Sequence, residues 1–156
     1  MEESLQQIWQ KITHYCAYQE RSHAEVREKL FSFHLKGKEV ETLIAKLIEE
    51  NYLNEQRFAL AFARGKFRIK HWGKQKIRVG LRQKRVSEYC IGKALDAIDN
   101  SAYQKIFTTV AEKKLQLLKS EKNIFIKKRK LRDHLLQKGY ESALITEWLK
   151  NFNSNF

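Results

Sequence analysis

Between Glu55 and Glu88 the chain carries no acidic residue and eleven basic ones: Arg57, Arg64, Lys66, Arg68, Lys70, Lys74, Lys76, Arg78, Arg82, Lys84 and Arg85. A second cluster follows at Lys127, Lys128, Arg129, Lys130 and Arg132. Side chains of this kind neutralise phosphates, and arginine adds bidentate contacts to the phosphate oxygens. Binding built on them is strong, salt-sensitive and nearly indifferent to sequence. Ordinary soluble helices mix their signs to gain pairing one turn apart, so a long single-sign run points to an external anion. A merely solvated basic face is the bland alternative.

Spacing sharpens the expectation. On a helix Arg64 and Arg68 stack one turn apart, as do Lys66 and Lys70. Over 73–86, Lys74, Arg78, Arg82 and Arg85 recur at four, four and three, sharing one face while Ile77 and Leu81 take another. Trp72 sits inside the block, placed either to stack on an unpaired base or to pack as a junction between helices. Trp9 and Trp148 fall on apolar faces and are expected in the core.

Catalytic constellations are missing. The chain has no Walker loop, dinucleotide fingerprint, HExxH or nucleophile elbow. No histidine has a second one three or four residues away for a helical metal site, and the basic block offers no carboxylate to hold magnesium. The expectation is a binding protein, not an enzyme, with neither cofactor nor metal.

Composition agrees. The 156 residues include no proline, which favours helices throughout, and 42% hydrophobic residues allow a real core. A formal net charge of +13 calls for a polyanionic partner. The charge is uneven: Met1–Glu55 holds ten acids and seven bases, and the remainder eight acids and twenty-four bases. No apolar run approaches the roughly 20 residues of a membrane span, and the N-terminus is acidic where a secretory signal is basic, so a cytoplasmic protein with no membrane partner is expected. Cys16 and Cys90, far apart, read as two buried, reduced thiols.

The elements that position these residues repeat three times. Moving 51 positions along the chain superposes Val26, Leu30, Leu35, Val40, Ile44 and Leu47 on Ile77, Leu81, Val86, Ile91, Leu95 and Ile98; moving 54 more reaches Leu131, Leu135, Tyr140, Ile145, Leu149 and Phe152. Arg27, Arg78 and Arg132 share a column. Each unit reads as a helix, a tight turn and a second helix, with joints at 34–39, 84–88 and 138–141 and Gly37 and Gly139 placed to end helices. A further amphipathic helix precedes each pair: Leu5, Ile8, Trp9, Ile12, Tyr15 and Cys16; Phe58, Ala59, Phe62, Ala63 and Phe67; Phe107, Val110, Leu115 and Leu118. Ser22–Glu25 and Ser101–Gln104 fit the capping box, and Asn54 fits an N-cap. The expected fold is all-α: three tandem three-helix repeats, residues 1–53, 54–100 and 101–156, in an elongated array open to curvature. A DNA-operator reader is disfavoured, because the charge precedes the turn and the helix after it, 87–98, is poor in base-reading side chains.

The stretch Phe58–Arg64, Gly73, Lys76-Ile77-Arg78, Leu81 and Lys84-Arg85-Val86 resembles the central signature of the RecX family of recombinase regulators. Ser22, Glu25, Val26, Leu30 and Glu49–Phe58 fit that family's first unit, and Arg129-Lys130-Leu131, Leu135 and Lys138-Gly139-Tyr140 its last. Arg85 and Asn51 stand where the family often has glycine, and arginine adopts left-handed geometry less readily than asparagine. The resemblance implies three three-helix repeats and a partner no residue pattern could name, the RecA filament on single- or double-stranded DNA. It implies a protein lying in the filament groove that suppresses ATP hydrolysis and strand exchange and favours disassembly; a monomer is the simplest reading of the chain. The filament- or DNA-facing residues would be Arg64, Lys66, Arg68, Lys70, Trp72, Lys74, Lys76, Arg78, Arg82, Lys84 and Arg85, with Lys128, Arg129 and Arg132. The alternative is a general, salt-sensitive DNA- or RNA-binding module without recombinase specificity.

Overall fold

The computed structural model describes residues 3–151. Those residues form nine helices and no strand: α1 Leu5–Tyr18, α2 His23–Phe31, α3 Gly37–Glu49, α4 Glu55–Lys70, α5 Lys74–Gln83, α6 Glu88–Asp96, α7 Asn100–Leu117, α8 Ile124–Gln137 and α9 Ser142–Asn151. The order matches the expected three helices per repeat. By packing, the chain falls into two units. One holds the residues up to Phe62 together with Leu81–Ala94; the other holds Ala63–Gly80 and the described chain from Leu95 onward. The middle repeat is thus shared out, with α4 beginning in the first unit and ending in the second.

Local chemistry sets most helix ends. Ser4 and Ser22 make reciprocal capping boxes with Gln7 and Glu25, and the Asn54 side chain accepts from the Arg57 N–H at 2.8 Å. The expected box at Ser101–Gln104 does not form. Helix α7 starts earlier, because the Asp99 carboxylate accepts from the Ala102 N–H at 2.9 Å. Ser101 is left inside the first turn.

The turns repeat as well. Arg85 (φ 60°) and Gly139 (φ 98°) both occupy the left-handed position that closes a helix, and His34 (φ 65°) falls in the same repeat column. At two of them the closing pattern is identical: Arg85 donates to the Arg82 carbonyl and Val86 to that of Leu81, as Gly139 donates to Leu136 and Tyr140 to Leu135. Asn51 (φ 65°) ends α3 in the same way. Both departures from glycine therefore sit where glycine is easiest. Gly37 does not end a helix; it is the first residue of α3, and His34 takes the left-handed place.

In the first unit Ile8, Ile12 and Cys16 of α1, Val26 and Leu30 of α2, and Val40, Ile44 and Leu47 of α3 form the core, closed by Leu53. Trp9 is half-buried at its edge, its ring meeting Tyr52 edge-on at 6.0 Å. In the second unit an aromatic row runs Phe67, Tyr103, Tyr140, Phe107 and Trp148, with ring centroids 5.1–6.2 Å apart. Trp148 is half-buried there. Of the predicted repeat columns, Leu35 and Ile98 are half-buried, the others among the described residues are buried, and Phe152 lies outside the described residues. Leu5 is exposed and adds nothing to the apolar face of α1. Of the two free thiols only Cys16 is buried, where burial raises its pKa to about 11; Cys90 is half-exposed.

Candidate nucleic-acid interface

Most of the predicted cations lie in the second unit. On α4, Ala63 and Phe67 face the core, while Arg64 and Arg68, one turn apart, and Lys70 are exposed. Lys66 is half-buried and its Nζ lies 4.9 Å from the centre of the Trp72 ring; Lys76 of α5 places its own Nζ 4.7 Å from the same ring. The half-buried indole thus carries two ammonium groups, a cation–π cluster that spacing alone did not announce.

A tertiary contact holds this cluster in place. Helix α4 ends at Lys70, His71 (φ 57°) turns the chain, and α5 begins at Lys74. Its free N–H groups are met by the turn between α8 and α9: Gly73 donates to the Lys138 carbonyl at 2.8 Å and Gln75 to that of Gly139 at 2.9 Å. The Lys74 N–H donates to the Tyr103 hydroxyl at 2.9 Å, and that hydroxyl donates to the Glu141 carboxylate. Tyr140 donates to the His71 carbonyl at 2.7 Å. Burial, followed by the Glu141 hydrogen bond, pushes the Tyr103 phenol far above its ordinary pKa, so it stays a donor.

Lys74 and Arg78 of α5 are half-buried beside fully buried Ile77. On α8, Leu131 and Leu135 face inward, Arg129 and Arg132 are exposed and Lys128 is half-buried. Among the described residues Arg64, Arg68, Lys70, Arg78, Arg129 and Arg132 form no salt bridge. Their charge is available to a partner.

The remaining three belong to the first unit, and two of them have carboxylate partners. Arg82 makes a two-pronged contact with Glu88, at 2.6 and 3.2 Å, which raises its pKa. Lys84 lies 3.8 Å from Glu25. Arg85 does not continue the α5 row. The helix stops at Gln83, and Arg85 stands in the left-handed turn beyond it. Arg57, also counted in the block, is held by Glu20 at 2.5 Å and by the Asn51 and Tyr52 carbonyls. The acid-free run of sequence is therefore partly neutralised by acids from outside it. Among the described residues no group of three metal-ligating side chains forms, and no helix is long and apolar enough to cross a membrane.

Comparison with known proteins places this arrangement. Residues 54–95 match the family description "RecX, second three-helix domain" and residues 102–149 the description "RecX, third three-helix domain". A regulatory protein RecX of Prosthecochloris aestuarii is 30% identical over 141 residues that cover 90% of each chain. The chain belongs to the RecX family. A second RecX, from Clostridium botulinum, is 34% identical over 134 residues, 83% of this chain and 61% of that one. Against the RecX of Bacillus cytotoxicus the chain spans about half the relative's length, 53%. The crystal structure of RecX from Lactobacillus salivarius has the same fold, with a TM-score of 0.82, 24% identity and 94% coverage of both chains. The RecX relatives carry the name of regulatory proteins, and all-α three-helix repeats are what they share with this chain.

Proposed function

We propose that the chain is a non-enzymatic regulator that binds the RecA filament on DNA, inhibits its ATP hydrolysis and strand exchange, and favours disassembly. The observation that carries this reading is the set of cations on α4 and α5 of the second unit, Arg64, Arg68 and Arg78, which have no carboxylate partner among the described residues, in a chain of the RecX family. Phosphates or filament carboxylates can bind there without first displacing an internal acid, so the full Coulombic gain goes to the partner. Three repeats, 1–53, 54–100 and 101–156, would act as one monomer in the cytoplasm, with Lys128, Arg129 and Arg132 adding contacts from the third.

The test is ATP hydrolysis by RecA on single-stranded DNA with the protein added far below DNA saturation. Inhibition at substoichiometric amounts, lost in the Arg64→Ala, Arg68→Ala, Arg78→Ala variant, supports action on the filament. Undiminished inhibition by a folded triple variant removes these residues from the role.

One feature favours the second reading, a general DNA- or RNA-binding module. Trp72 with Lys66 and Lys76 combines an aromatic face with phosphate-binding charge, the elements of sequence-tolerant single-strand binding. Inhibition that appears only when the protein coats the DNA, and that collapses steeply with salt, favours this module over filament regulation.

A further inference from the structure

The first 55 residues are net acidic, yet α1 and α2 enclose a cationic groove. Its volume is about 350 Å³ and it is bordered by Lys11, Tyr15, Tyr18, Arg21, Lys29 and Phe33. The lining surface is overwhelmingly apolar, although Lys11, Arg21 and Lys29 contribute to it. The Arg21 guanidinium lies 3.7 Å from the centre of the Tyr15 ring and its Nε donates to the Tyr15 carbonyl at 3.0 Å. Lys29 Nζ lies 5.5 Å from the Tyr15 ring and 5.7 Å from that of Phe33, and Lys11 Nζ 5.7 Å from Phe33. Tyr18 is 76% exposed, so the core does not account for it. Aromatic residues and arginine, concentrated around an apolar depression, are what protein–protein contacts favour at their centres.

Charge complementarity selects the occupant. An apolar slot ringed by cations accepts an apolar side chain flanked by carboxylates. The chain's own Glu3 binds Lys11 at 2.6 Å, a contact that a partner's carboxylate at that lysine would have to displace. A nucleic-acid strand fits less well. The adjoining groove is lined by Glu25 and Glu28, against which a strand would have to set its next phosphate, whereas a peptide can place uncharged residues there. We propose that this groove docks an acidic segment of a partner protein, anchored by one aromatic or aliphatic side chain and held by carboxylates at Lys11, Arg21 and Lys29. The proposal does not depend on the filament reading, which concerns other side chains.

The test measures binding of a short fluorescein-labelled peptide of aspartate and glutamate around one phenylalanine to the full chain. Its comparison is a Tyr18→Ala, Lys29→Glu variant, both positions being exposed. The peptide should bind the parent and lose about tenfold or more in affinity with the variant, while binding of an oligothymidine strand is unchanged. Replacing the peptide's phenylalanine by alanine should weaken it similarly. Absence of peptide binding to the parent, or equal binding by both proteins, overturns the proposal. Loss of oligothymidine binding with peptide binding intact assigns the groove to nucleic acid and overturns it as well. Amide NMR shifts of the parent on peptide addition should fall between Lys11 and Phe33; shifts confined elsewhere overturn it even if the variant does not fold.

Discussion

Gly73 and Gly139 face each other with no room for a side chain between them. A Cβ on Gly73 would overlap the Gly139 carbonyl group, and a Cβ on Gly139 would overlap Lys76. This close approach lets the α8–α9 turn reach the first N–H groups of α5. Gly73→Ala should cost about 1–3 kcal/mol through overpacking, and Gly139→Ala more, because its left-handed φ adds strain. Chemical denaturation measures both, and wild-type stability of Gly73→Ala would mean the contact yields freely.

Arg85 occupies the equivalent turn without the freedom of glycine. Arg85→Gly should stabilise the protein by about 1 kcal/mol, a rise in Tm of about 2–4 °C for a chain of this size. The same change removes one cation, so DNA affinity should fall or stay level while stability rises. A lower Tm would show that the arginine makes contacts that outweigh its strain.

Glu88 competes with any phosphate for Arg82. Glu88→Gln should strengthen DNA binding and steepen its salt dependence by up to about one unit of log–log slope. Stability should change little, since exposed pairs contribute only about 0–1 kcal/mol. Titrations at several salt concentrations decide the matter, and an unchanged slope would place Arg82 away from DNA.

His23 has its Nε2 buried with no hydrogen-bond partner among the described residues. Burial lowers its pKa, with Glu55 opposing and Arg27 assisting. His134 is lowered too, by burial first and then by Lys114 and Lys138. A histidine depressed in the folded state is protonated first in the unfolded chain. Its contribution is therefore intact above the unfolded value of about 6.5 and is lost as pH falls below it. Urea unfolding should show stability declining from pH 7 to pH 5, less steeply in a His23→Leu variant. An identical decline in both proteins would clear His23 of the effect.

Much of the fold was legible because helices are local objects. Spacings of three and four put Val26 and Leu30, Ile77 and Leu81, and Leu131 and Leu135 on buried faces, and all six are buried. The caps at Ser22 and Asn54 follow from side chains within three residues of the N–H groups they bind. Where two nearby residues compete for one end, spacing misleads. Asp99 outranks Ser101 at α7, and His34 takes the turn geometry that Gly37 suggested for itself.

By itself the sequence determined the helical periods, the threefold recurrence of one apolar pattern and the acid-free run of cations, since each depends only on residue type and spacing. Tertiary structure alone decided which cations stay free. Glu25 reaches Lys84 and Glu20 reaches Arg57 across long stretches of chain. It also decided where Trp72 stands, because α5 takes its cap from carbonyls of the α8–α9 turn. A charge in sequence is counted wherever it falls, but its partner is whatever packing brings within 4 Å, and packing is set by buried faces that meet far apart along the chain.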